Sequence, residues 1–299
     1  MVLACGLREA RAQELLVSNF FSNQINRYSL PDGAQVGSLG GPINGPLCAK
    51  YGPDGDLYVA SEGNDSILRY RGSDLSYVGQ FVTPGSGGLD SPTGVAWGPD
   101  GNMYVSSFSA SSVLKYNGRT GAFLGTFVTS GLGGLSGADN GMTFGPDGNL
   151  YVPSYNNSRV MRYNGVTGAN MGPFIPAIVR PRVLEFRGDS LFITTEAGNT
   201  VHRFDAATGG FLGNFITPGL GGLFRPVGMA FADGLLYVGS TGNNQILKYD
   251  AQTGAFVGVF ASGPAISGPT FLTVVPSPGA GLLLCTAAGV VAGRRRRGG

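Results

Sequence analysis

Gly94-Val95-Ala96-Trp97, Gly98-Pro99-Asp100-Gly101, Met103-Tyr104-Val105, Val113-Leu114-Lys115-Tyr116, Asn117-Gly118-Arg119-Thr120-Gly121 and then Phe123 to Val128 follow one another along a single stretch of this chain. Four short runs of β-branched and aromatic residues alternate with Gly, Asp and Asn turns, which reads as four antiparallel strands. Pro99 presets φ at the first corner, and Gly101 accepts the positive φ that closes the hairpin. Pro53-Asp54-Gly55 and Pro146-Asp147-Gly148 repeat that turn, while Thr167-Gly168, Thr208-Gly209 and Thr253-Gly254 repeat the last one.

The third run recurs six times, as Ile25 to Tyr28, Ile67 to Tyr70, Val113 to Tyr116, Val160 to Tyr163, Val201 to Phe204 and Ile246 to Tyr249. The steps between its aromatic residues are 42, 46, 47, 41 and 45. A period of that length marks a unit that buries its apolar face only by stacking on neighbours. The second run also occurs six times: Leu15-Leu16-Val17, Leu57-Tyr58-Val59, Met103-Tyr104-Val105, Leu150-Tyr151-Val152, Leu191-Phe192-Ile193 and Leu236-Tyr237-Val238. The first copy lacks an opening strand, and a spare one, Gly268 to Val274, follows the sixth. A solenoid caps its ends, whereas a ring joins them. The expectation is an all-β, six-bladed β-propeller over residues 13–275 with four antiparallel strands per blade. The C-terminal strand pairs with the N-terminal blade, so no sheet edge stays open. The 52 glycines fit turns and argue against long helices.

The two ends read as addresses. Residues 276–299 give Pro276-Ser277-Pro278, an apolar segment from Gly279 to Gly293, and Arg294, Arg295, Arg296 and Arg297. This order resembles the PEP-CTERM sorting signal of exported bacterial proteins, although Pro276-Ser277-Pro278 replaces the family's Pro-Glu-Pro. The resemblance implies an exosortase-type processing enzyme as a partner and a transient inner-membrane anchor, followed by release to the cell surface or medium. Fifteen residues at about 1.5 Å each span roughly 22 Å as a helix, short of the roughly 30 Å hydrocarbon core. The four arginines would stay on the cytoplasmic side. Residues 1–12 end in Ala10-Arg11-Ala12, the small-x-small form of a signal-peptidase site, behind an apolar piece too short for a full signal core. They read as a truncated signal peptide.

The whole chain carries a net charge of +2. Leaving out Arg8, Glu9, Arg11 and the four C-terminal arginines leaves 14 cations against 17 anions, a net charge of −3. A mildly acidic domain is a poor binder of nucleic acid, where affinity rests on neutralising phosphates. Cys5 and Cys285 fall in the two address segments. Cys48 alone remains in the ring, in a first strand near the axis, where a lone thiol makes no intrachain disulfide and behaves as a small buried hydrophobe.

The repeat from Gly94 to Val105, followed by Val113 to Tyr116, resembles NHL-type propellers and the related gluconolactonase and senescence-marker-protein superfamily. That resemblance covers residues 14–275 and concerns strands and turns more than chemistry. Gluconolactonase-like members hold a divalent cation near the axis with Glu, Asn and Asp. Here Asn140-Gly141-Met142 matches their Asn-Gly-apolar motif, but Thr93, Arg182, Val227 and Thr270 occupy the same register in other blades. One amide among these is too few for a hard cation that takes six or more oxygens, so a cation near Asn140 is not favoured and no cofactor is expected. A His-based zinc centre needs more than the single histidine, His202. A Ser-His-Asp triad fails because His202 falls in a third strand, away from the axis. The clusters Gly85 to Gly88, Gly131 to Gly134 and Gly219 to Gly222 recur blade by blade and read as blade-to-blade connections rather than phosphate loops.

What remains is a surface. One face of the ring collects Glu62, Asn64, Asp65, Asn156, Asn157, Glu196, Asn199, Asn243 and Asn244, with Asn140 and Arg182 at the funnel and Phe108 and Tyr155 beside them. These are candidate ligand-binding residues; Asn and Asp also close turns with their own side chains. The expected function is a non-enzymatic binding or scaffold module, exported to the cell surface or extracellular matrix, for an extracellular polysaccharide or a protein partner. The alternatives are a metal-dependent lactonase or hydrolase with an atypical axial site, and a lyase resembling the streptogramin-cleaving propellers that would depend on Glu62 or Glu196.

Overall fold

The structure, a computed structural model, describes residues 14–30 and 32–275. Cys5, Cys285 and both address segments, including Pro276 to Pro278 and Arg294 to Arg297, lie outside the described residues.

Six four-stranded antiparallel sheets stand around one axis. The first comprises β1 (Glu14–Asn19), β2 (Gln24–Ser29) and β3 (Gln35–Ser38). The second comprises β4 (Pro46–Tyr51), β5 (Leu57–Ser61), β6 (Ser66–Tyr70) and β7 (Tyr77–Val82), and the third β8 (Pro92–Trp97), β9 (Met103–Ser107), β10 (Ser112–Tyr116) and β11 (Phe123–Val128). The fourth holds β12 (Thr143–Phe144), β13 (Leu150–Ser154), β14 (Arg159–Tyr163) and β15 (Asn170–Ile175). The fifth holds β16 (Pro181–Arg187), β17 (Ser190–Thr195), β18 (Thr200–Asp205) and β19 (Phe211–Ile216). The sixth holds β20 (Pro226–Ala232), β21 (Leu235–Ser240), β22 (Gln245–Asp250) and β23 (Phe256–Ser262). The last strand, β24 (Pro269–Val274), is the innermost strand of the first blade: Leu16 faces Thr273 and Val17 faces Leu272 across an antiparallel ladder. The closed ring expected from the displaced strand is what the chain forms.

The core lies between blades, and its pattern repeats. Tyr58 packs edge-on against Phe81 of its own blade and Trp97 of the next, with centroids 4.8 and 5.0 Å away. Tyr104 does the same with Phe127 and Phe144, Tyr151 with Phe174 and Phe186, and Phe192 with Phe215 and Phe231. Such edge-to-face pairs add about 0.5–1.5 kcal/mol each beyond burial. The Pro-Asp-Gly turns tie into these triplets. Asp54, Asp100 and Asp147 each close their turn through Oδ1 and accept the hydroxyl of Tyr58, Tyr104 or Tyr151 through Oδ2, at 2.7–3.0 Å. Three of the third-strand cations are partly exposed and ion-paired: Arg27 with Glu14, Arg69 with Asp56 and Lys115 with Asp100.

The glycine clusters form a single 3-10 turn each, at Ser86–Gly88, Leu132–Gly134 and Leu220–Gly222. The hydroxyls of Tyr116, Tyr163 and Tyr249 donate to the carbonyls of Ser86, Leu132 and Leu220 at 2.7–2.9 Å, so each third-strand tyrosine clips the corner that enters its blade.

One inner strand departs from the sequence pattern. Five begin with proline, at Pro46, Pro92, Pro181, Pro226 and Pro269. The fourth blade has Asp139 there, and its strand shrinks to Thr143–Phe144. Asp139 has the N–H that proline lacks and donates it to Pro153 O at 3.1 Å. Gly141 then bridges in parallel to Val183, in a contact so close that a Cβ on Gly141 would lie 2.1 Å from Arg182 O.

Candidate functional site

Where the second strand of each blade ends, the chain turns back, and the residue at that corner points towards the axis. The six corner residues are Phe20, Glu62, Phe108, Tyr155, Glu196 and Thr241, in order around the ring, and all six line one cavity of about 270 Å³. A second tier lies below them, made by the second residue of the inner strands: Leu47, Thr93, Arg182, Val227 and Thr270. In the fourth blade the sequence register places Asn140 in this tier. The structure puts Asp139 there instead, because the irregular inner strand turns Asn140 down beneath the cavity. Asn140 is fully buried and donates to Thr270 O at 3.2 Å and to Leu47 O at 3.4 Å, while its Oδ1 has no hydrogen-bond partner. Phe21, 70% exposed, and Arg225 complete the wall.

Half of this funnel is an ion-pair network. Arg182, with its side chain 14% exposed, donates to Oδ2 of the fully buried Asp139 at 2.5 Å and faces Glu196 Oε2 at 3.5 Å. Arg225 donates through Nε to Glu196 Oε1 at 3.1 Å and pairs with it again through Nη2. Tyr155 donates its hydroxyl to Glu196 Oε2 at 3.0 Å and accepts from Arg180 at 3.1 Å. The Arg182 guanidinium sits 4.9 Å from the Tyr155 ring centroid. Burial works against the charge on Arg182, but Asp139 and Glu196 outweigh it and hold the guanidinium protonated. Burial likewise pushes the Glu196 carboxyl up, and Arg182, Arg225 and Tyr155 together hold it below its ordinary value.

The other half is different. In blade order the Glu62 corner falls between those of Phe20 and Phe108, and all three side chains line the cavity. The Glu62 carboxylate makes no hydrogen bond or ion pair with a described residue; burial, followed by the charge of Asp139, raises its pKa, and the charge of Arg182 offsets this only in part.

The remaining candidate residues hold loops together around the funnel rather than lining it. Asn64 donates to Ser61 Oγ and Pro42 O, and Asp65, in the left-handed region, accepts Ser91 N–H at 2.7 Å. Asn156 donates to Ser136 Oγ and Asn157 to Gly134 O, Asn243 donates to Gly222 O, and Asn244 accepts Gly268 N–H. Glu62, Arg182 and Glu196 are thus the candidates that the fold brings together. Asp139 escaped the sequence reading because it aligns with a proline; that substitution was the available signal. Phe20 and Thr241 share the corner register of Glu62 but lack the charge that drew attention to it.

Among the described residues no group of three or more His, Cys, Asp or Glu is placed to hold a metal ion. Cys48 is buried, with its thiol pushed up by burial. His202 lies on β18, its ring packed against Phe204 and Phe211, away from the cavity lining. At the opposite end of the axis a vestibule of about 450 Å³ is lined by Lys50, Glu185 and the rings of Tyr51, Phe144, Phe186, Phe231 and Phe271.

No protein-family model and no curated protein matches the chain. Solved structures share its fold. One is a chain in the crystal structure of a nidogen/laminin complex, with a TM-score of 0.72 and 16% identity over 88% of this chain and 98% of that one. Another is a protein of unknown function from Bacteroides caccae, with a TM-score of 0.68 and 15% identity over the same shares of each chain. Likeness at these identities is likeness of fold.

Proposed function

We propose that this propeller is an exported, non-enzymatic binding module that engages a polymer or protein partner through the funnel and the loops around it. The observation that carries this reading is the pair of tiers: the repeat delivers one side chain per blade to a shared cavity, and those side chains differ from blade to blade. Binding is favoured over hydrolysis because Asp139 and Glu196 are already paired with guanidinium groups. A carboxylate so engaged is a poor general base and a poor cation ligand. The resemblance to gluconolactonase-like and NHL-type propellers therefore bears on architecture in this reading. A propeller of this shape stands in a nidogen/laminin complex, which agrees with a protein partner.

Export rests on the tail from Pro276 to Arg297, read as a variant PEP-CTERM signal cut by an exosortase-type enzyme. The geometry suits display. Val275 N–H donates to Glu14 O at 2.9 Å, and both lie at the face opposite the funnel, where inner strands end and second strands begin. A chain tethered through residue 276 leaves its funnel facing outward.

Two measurements test this. Fractionation of the producing bacterium, with mass spectrometry of the C-terminus, is expected to find the protein outside the cytoplasm and lacking Arg294 to Arg297. A cytoplasmic protein with all four arginines overturns export. Glycan and peptide arrays probed with the full chain are expected to give signals that Phe108→Ala abolishes; signals indifferent to every funnel substitution overturn the assignment of the binding face.

A further inference from the structure

We propose that the funnel seats a basic side chain of a protein partner, an arginine by preference, against Glu62 and between the rings of Phe20 and Phe108. This rests on the funnel being the binding face and adds what it recognises.

Charge is the first argument. The cavity wall carries three carboxylates, Glu62, Asp139 and Glu196, against two guanidinium groups, Arg182 and Arg225. Both guanidiniums are committed to Asp139 and Glu196, so the unmatched charge falls on Glu62. A partly buried carboxylate without a counter-ion is costly, and an incoming cation removes that cost. An uncharged sugar hydroxyl leaves the charge in place.

Shape is the second argument. Blades one and three both carry phenylalanine at the corner where blade two carries the acid, so the cavity that Glu62 lines has a phenylalanine from the blade on each side of it. An aromatic face attracts a cation held within about 6 Å of its centroid, and a planar guanidinium stacks there while its edge pairs with a carboxylate. The same chain already shows this grouping across the funnel, where Arg182 lies 4.9 Å over Tyr155 and pairs with Glu196. On the Glu62 side the acid and rings are present and the guanidinium is not supplied by a described residue.

Size is the third. At about 270 Å³ the cavity falls under the roughly 300–1,000 Å³ of small-molecule sites, which suits one anchoring side chain. Arginine is among the residues that most often serve as such anchors in a protein interface. Phe21, 70% exposed at the lip, supplies apolar surface for the partner's main chain.

The test uses the full chain against immobilised blocked hexapeptides carrying a central Arg, Lys, citrulline or Gln, and against a polyglucosamine film. The expected result is at least tenfold tighter binding of Arg than of citrulline peptides, weakening as salt rises from 50 to 500 mM. Glu62→Gln and Phe108→Ala are each expected to lose about tenfold, with unchanged circular dichroism and melting temperature. Asp74→Asn, on the face opposite the funnel, should bind as the parent does. Arg and citrulline peptides bound alike, or a Glu62→Gln variant that binds like the parent, overturns the proposal. Binding to polyglucosamine alone moves the cation to a polymer and overturns the protein-partner assignment. If the charge dependence fails while Phe108→Ala still removes array signals, the funnel remains the binding face and only its proposed chemistry falls. If no funnel substitution changes any binding, both fall.

Discussion

Arg182 and Asp139 show how much one register position decides. Asp139 is fully buried; burial pushes its carboxyl up, and Arg182, donating to it at 2.5 Å, works against that and favours the charged pair. Removing one partner of a buried pair leaves an uncompensated charge, at about 3–5 kcal/mol. Arg182→Met should therefore lower stability by about that amount in urea unfolding, and the double variant with Asp139→Asn should recover much of it. Glu185 makes a pH-dependent contribution at the other end of the axis. Burial pushes its carboxyl up from 4.5 to about 7, against the opposing charges of Arg187 and Lys50. The folded protein therefore binds the proton more tightly than the unfolded chain does, and stability is lost as pH rises from about 4.5 through 7. The loss is on the order of 2–3 kcal/mol. Between pH 5 and pH 8 the parent should lose more unfolding free energy than Glu185→Gln, which keeps a neutral side chain throughout. At this scale the sequence displayed Glu62 and Glu196 as acids just past a strand. It hid Asp139, because the position reads as a proline site until the inner strand is seen to bend, and it hid the pairing of Arg182 with acids from other loops.

Turns and corners carry the blade architecture, and they were the most legible elements. Pro-Asp-Gly marks a hairpin by its own backbone preferences, and the structure adds a second task for each aspartate, holding the core tyrosine's hydroxyl. The 3-10 corners depend on glycine in two ways. Gly85 and Gly87 both sit at positive φ, 69° and 66°. A Cβ on Gly85 meets open space, while one on Gly87 would lie 2.3 Å from the Phe123 ring. Gly85→Ala should cost about 1–2 kcal/mol, the penalty of left-handed backbone alone. Gly87→Ala should cost more, since Phe123 must also leave its tilted contact with Tyr116, 5.7 Å away. Thermal melts of the two variants, compared side by side, check the difference. The 3-10 geometry was not legible, because a Gly-rich connection is permissive by composition and only the tyrosine clip from the next blade selects one shape. The shortened β12 was not legible either: Thr143 and Phe144 align with good strand residues, and the loss of pairing upstream comes from Asp139.

For the whole molecule the decisive feature is closure. β24 lies 252 residues from Ser18 in the chain, yet Thr270 Oγ1 reaches Ser18 O at 3.3 Å and Pro46 O at 2.7 Å, tying the first and second blades together. Deleting residues 268–275 should expose the edge of β1 and the faces of β4 and β20 at once. The expected outcome is loss of the cooperative thermal transition and a larger hydrodynamic radius in gel filtration; a sharp transition within a few degrees of the parent would show that the ring holds without its latch. The sequence alone determined the number of blades, the strand order within each and the exchange of a strand between the two ends. Those properties follow from local periodicity and turn chemistry, which act over a few residues and repeat. Only the tertiary structure decided which side chains meet at the axis. Six corners separated by about forty residues each become neighbours there, and whether Glu62 stands beside rings or guanidiniums depends on the angular order of the blades and on one bent inner strand, neither of which a local pattern encodes.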